Sequence, residues 1–83
     1  MITQKFIDDL RSKIDSVRPL QKEDTFARDL VLVGVNYLSI VVMSKKNNKP
    51  LDPLRENELN HLINNYQGIV DDYLIERNME YVG

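Results

Sequence analysis

Apolar side chains at Ile2, Phe6, Ile7, Leu10, Ile14 and Val17 recur three and four residues apart, which places them along one stripe of a helix. Thr3 can cap that helix, and Pro19 disfavours helical geometry at Arg18. The spacing therefore predicts a first helix from about residue 3 to about residue 17. Asp9 with Lys13 and Arg11 with Asp15 stand four apart and are expected to pair on its outer surface.

The second apolar segment is ambiguous by residue type, because Val31, Val33, Val35, Ile40, Val41 and Val42 are β-branched and suit strands. Periodicity decides against strands. On a helical projection Thr25, Arg28, Asp29, Asn36 and Ser39 fall within one sector of roughly 100°, whereas the segment does not alternate as a half-buried strand must. A helix from about residue 25 to about residue 44 is predicted, capped by Asp24 or Thr25, with a hairpin within 30–43 as the alternative. A helix apolar around so much of its circumference must be covered on several sides, and a short chain offers few elements to cover it. This is the reason to expect a homo-oligomer, with Leu30, Val31, Leu38 and Val42 in its core.

After a polar connector over Lys45–Pro50, Asp52-Pro53 supplies a capping residue followed by proline at the first helical position. Leu59, Leu62, Tyr66, Ile69 and Tyr73 then follow a 3-4-3-4 spacing, with Ile63, Val70 and Leu74 beside them. A third helix over about 53–78 is predicted, with Leu62, Tyr66, Ile69 and Tyr73 joining the oligomer core. The end of the chain is expected to fray, leaving Met79, Tyr81 and Val82 available to dock. The fold class is all-α, a single small three-helix domain completed by self-association.

Composition narrows the functional classes. At 83 residues the core is small, and without cysteine there is neither a disulfide nor a thiolate metal site to reinforce it. A formal charge of -2 disfavours nucleic acid, and Lys45, Lys46 and Lys49 read as a soluble turn. The amino terminus has no basic start followed by an apolar run, which leads us to expect a cytoplasmic protein. The stretch Leu30–Met43 is interrupted by Gly34, Asn36 and Ser39 and falls short of the roughly 20 residues of a bilayer span, so it is read as core.

Candidate chemistry is sparse. His61 follows Glu58 by three, a spacing that can aim two metal ligands from one helix, but its helical angle lies nearly opposite the Leu59/Leu62/Tyr66 stripe. It should point to water, so no metal site is expected. Asp71 and Asp72 are about 100° apart and do not form a facing carboxylate pair; no Gly-rich phosphate loop or nucleophile with a base is present. We therefore expect no catalytic residue and no cofactor. The less ordinary feature is a neutral polar stripe on the third helix, Asn57, Asn60, His61, Asn64, Gly68 and Asp71. Asn and Gly are poor helix formers, and solvated faces usually carry Glu, Lys and Arg instead. Asn57, Asn60, His61, Asn64 and Asp71 are accordingly candidate partner-binding residues.

Leu51-Asp52-Pro53, followed by Glu58-Leu59-Asn60-His61-Leu62-Ile63-Asn64-Asn65-Tyr66-Gln67, resembles the second helix of the short aspartyl-phosphate phosphatases that act on sporulation response regulators. Those proteins are helical hairpins with a Ser-Gln-x-x-Asp signature before a Leu-Ile-Asn-x-Tyr-Gln-like segment. Here the signature falls at Glu56, Asn57 and Asn60, and none of its three defining residues matches. The resemblance implies a similar docking surface rather than the activity. The expected function is a small non-enzymatic regulator or inhibitor that binds a protein partner, of the kind found as bacterial or phage accessory factors. The alternatives are a phosphatase-like protein or inactive relative, and an oligomer binding a small ligand or nucleotide at a subunit boundary.

Overall fold

The computed structural model describes the backbone of residues 2–46 and 51–82, and side chains through Asn78. The connector over 47–50 and the docking expected of Met79, Tyr81 and Val82 lie outside the described side chains. The described chain is all helical, with α1 Gln4–Val17, one 3-10 turn Arg18–Leu20, α2 Thr25–Lys46 and α3 Pro53–Val82, and no strand among the described residues. The β-branched run in α2 is therefore helix. Tertiary packing of Leu30, Val31, Gly34 and Val41 overrides a propensity difference worth only tenths of a kcal/mol per residue.

Each helix starts where a side chain satisfies its free amides. The Thr3 hydroxyl accepts from the Phe6 amide (3.2 Å), Asp24 Oδ1 from the Phe26 amide (2.9 Å), and Asp52 Oδ1 from the Arg55 amide (3.0 Å) ahead of Pro53. Pro19 sits inside the 3-10 turn that closes α1 and redirects the chain into α2.

Ile7, Leu10, Ile14 and Val17 of α1 are buried against Ala27, Leu30, Val31 and Val41 of α2 and Leu59, Ile63, Tyr66 and Val70 of α3. The helices come close at Gly34, which faces the Tyr66 hydroxyl and Ile14; a Cβ there would lie 2.4 Å from Tyr66 Oη and 2.6 Å from Ile14 Cγ1. Tyr66 donates its hydroxyl to the Leu30 carbonyl (2.7 Å), and burial pushes its pKa up to about 12. Its ring also meets Tyr37 edge-on at 5.9 Å.

Two expectations from spacing are corrected here. The inner face of α3 is centred on Leu59, Ile63, Tyr66 and Val70, whereas Leu62 is 50% and Ile69 41% exposed. The cause is that α3 packs against α1 as well as α2, which turns its buried sector toward α1 and leaves Leu62 and Ile69 at the edge beside α2. The second correction concerns the surface pairs of α1. Lys13 reaches across to Asp71 of α3, and Asp15 pairs instead with Arg18 at 3.4 Å. The Cα radius of gyration is 14.0 Å, above the about 12 Å of a compact chain this long, because α3 extends past the other helices.

Candidate protein-binding seam

α2 and α3 meet along a groove with an apolar lining and a polar edge. Leu30 and Tyr66 form its floor, and Phe26, Val33, Leu62 and Ile69 form its walls. The volume there is about 250 Å³ and opens broadly to solvent. Ile40, Leu51, Leu59 and again Leu62 continue the same apolar surface toward the start of α3. Phe26, Val33, Ile40, Leu62 and Ile69 are all exposed. A patch of contiguous apolar residues with a polar border marks a surface that contacts a protein, a membrane or a ligand.

Its position follows from helical phase. On α3, Glu58, Leu62, Asn65, Ile69, Asp72 and Glu76 succeed one another at spacings of four, three, four, three and four, one stripe beside α2. Asp29 borders the groove from α2, and Glu58 and Arg55 border its far end. Arg55 itself lies 3.9 Å from Asp52. The charged residues of the lining are thus Asp29, Glu58 and Arg55, and helical phase adds Asp72 and Glu76 along the same side of α3.

A polar cluster closes the other end. Tyr73 donates to Asp24 Oδ2 (2.7 Å), and Arg77 sits 2.8 Å from Glu23 and 3.6 Å from Asp24. The hydrogen bond from Tyr73, then that from the Phe26 amide, holds the Asp24 carboxyl below its ordinary pKa, with Arg77 adding to the effect. Burial, then the bond to Asp24, pushes the Tyr73 hydroxyl up. Phe26 stacks obliquely on Tyr73 at 5.4 Å, so this cluster fixes one wall of the groove.

Of the residues expected to form an oligomer core, Leu30, Val31 and Tyr66 are buried within the single chain. Leu38, Val42 and Tyr73 are partly buried against the same core, leaving Leu62 and Ile69 open to a partner. The predicted polar stripe divides similarly. Asn57, His61 and Asn64 are exposed on the outer side of α3, Asn60 is half-buried, and Asp71 is engaged by Lys13. Among the described residues no group of three or more His, Cys, Asp or Glu is placed to hold a metal ion. The groove itself was missed by spacing, although the exposed run Phe26, Val33, Ile40 at intervals of seven was its signal.

The length argument about α2 also changes. The helix has 22 residues and is long and apolar enough by length and composition to cross a membrane, with 28% of its most apolar stretch buried in the fold. A mostly buried helix of a soluble core and a signal sequence near the amino terminus meet the same criterion, and most of α2 is not buried within the single chain. No family model, no curated protein and no solved structure matches this chain.

Proposed function

We propose that this is a small non-enzymatic regulatory protein that acts by binding another protein, and that the α2–α3 seam is its working surface. The supporting observation is the run of exposed apolar side chains Phe26, Val33, Ile40, Leu62 and Ile69 on an otherwise folded chain. Leaving such surface in water costs stability that a solvated Lys or Glu would not, so its presence is best accounted for by a contact that covers it. The exposed Asn57, His61 and Asn64 lie on the outer side of α3, beyond the seam lining, and would extend that contact as a polar margin.

The test is affinity capture with the intact chain and with Ile69→Asp and Asn57→Lys/Asn64→Lys variants, each checked for helicity by circular dichroism. A protein retained at fixed stoichiometry by the parent should be lost on Ile69→Asp and weakened by the double lysine variant. Retention at parental levels on folded Ile69→Asp would remove the seam from the reading. Retention by the double lysine variant alone would remove the Asn stripe.

A further inference from the structure

The opposite flank of α2 carries a second apolar stripe with the reverse charge. Arg28, Leu32, Val35, Val42 and Lys46 succeed one another at spacings of four, three, seven and four; Leu32 and Val35 are exposed, and Met43 beside them is 58% exposed. Arg11 of α1 joins Lys45, Lys46 and Val42 around the shallow pocket at its end, with no carboxylate in the lining. The chain therefore presents a base-ended apolar stripe on one side of α2 and an acid-bordered apolar seam on the other.

The two surfaces match in length as well as charge. Arg28 to Lys46 and Glu58 to Glu76 each span eighteen residues of helix, about 27 Å at 1.5 Å per residue. The basic stripe places Leu32, Val35 and Val42, with Ser39 among them, between Arg28 and Lys46, and the seam stripe places Leu62 and Ile69, with Asn65 and Asp72 among them, between Glu58 and Glu76. Two-fold pairing of the seam with itself would bring Asp29, Glu58 and Asp72 of both copies together, with Arg55 to offset them and Arg77 already engaged by Glu23 and Asp24. Pairing of the basic stripe with itself would oppose Arg28 and Lys46 in the same way. Like charges forced into one contact are costly, and opposite ones fix its register. No single two-fold contact covers both flanks of α2, whereas a head-to-tail contact covers both with one kind of interface.

We propose that the occupant of the α2–α3 seam is a second copy of this chain, docked through its Arg28–Lys46 stripe in a head-to-tail contact. This rests on the reading of the seam as a protein-binding surface and names what binds there. Each copy then offers a free seam and a free stripe, so assembly proceeds to a closed ring or a short chain.

The experiment is sedimentation equilibrium of the intact chain at about 100 μM, alone and as two single-face variants, Leu62→Asp for the seam and Leu32→Asp for the stripe. Both side chains are half-exposed, so the fold is expected to survive, as circular dichroism would check. Arg28→Glu/Lys46→Glu serves as a second stripe variant that leaves the apolar residues intact. The parent should exceed twice its 9.7 kDa mass, dissociating as salt is raised, and each variant alone should be monomeric. An equimolar mixture of seam and stripe variants should give a 1:1 dimer of twice 9.7 kDa, since one intact seam meets one intact stripe. A monomeric parent, a monomeric mixture, a stripe variant that assembles as the parent does, or a parent recovered only with phosphatidylcholine vesicles would each overturn the proposal. If self-association fails while Ile69→Asp still abolishes capture of a different protein, the seam stands as a binding surface and only its occupant is wrong.

Discussion

Gly34 and Tyr66 show how one residue pair sets the distance between helices. Alanine is the better helix former by about 1 kcal/mol, so on α2 alone Gly34→Ala would stabilise. In the fold its methyl group would meet the Tyr66 hydroxyl and Ile14 at well under 3 Å, and both are held in a buried core. We expect a net loss of about 1–3 kcal/mol by urea denaturation, the usual range for overpacking. In a Tyr66→Phe background the loss should shrink, because one of the clashing atoms is gone; an unchanged cost would mean that Ile14 and the ring carbon Cζ of residue 66 set the spacing. Asp24 makes a prediction in pH. Its folded pKa is lowered, so its contribution is present above the unfolded value near 3.8 and is lost as pH falls through the lower folded value. The melting temperature should therefore drop more steeply below about pH 4 in the parent than in Asp24→Asn, and parallel curves would contradict the assignment.

At the scale of the helix, capping and phase make separable predictions. Asp52→Ala removes the acceptor for the Arg55 amide at the start of α3 and should cost about 1 kcal/mol, while Pro53 still marks the helix start. Phase is tested by two adjacent residues of α3. Ile63→Ala should cost about 2–5 kcal/mol because the side chain is fully buried, and Leu62→Ala about 1 kcal/mol because half of it is already in water. His61→Ala, exposed, should change stability by less than about 0.5 kcal/mol. Chemical denaturation of the three variants at low concentration reads this order directly, and a Leu62 cost above that of Ile63 would put α3 in the wrong rotation. The Lys13–Asp71 bridge is partly exposed at both ends, so Asp71→Asn should cost less than about 1 kcal/mol.

For the whole molecule, the balance lies between a small core and a large apolar exterior. Among the described residues eleven buried ones form one cluster shared by three helices, while Leu32, Ile40, Met43, Leu62 and Ile69 remain at the surface of the single chain. If a second copy covers that surface, folding and association are linked, and the melting temperature should rise with protein concentration across the micromolar range. A melting temperature independent of concentration would mean that the single chain is the stable unit.

How much of this was legible in the chain depends on whether its cause is local. Thr3, Asp24 and Asp52-Pro53 mark helix starts because a capping bond closes within three residues, so position along the chain is enough to read it. The all-α class was legible for the same reason, since a 3.6-residue period is a property of one segment. What the sequence by itself determined is thus the elements, their polarity and the apolar sides they must cover. Which of two neighbouring apolar residues on α3 is inside, Ile63 rather than Leu62, depends on α1 and α2 approaching from two directions. The Lys13–Asp71 bridge and the closeness of Gly34 to Tyr66 join residues 58 and 32 positions apart, the seam joins two separate helices, and no local period encodes them. Only the tertiary structure decided these, because the direction of burial is set by the sum of all neighbours rather than by the spacing within one helix.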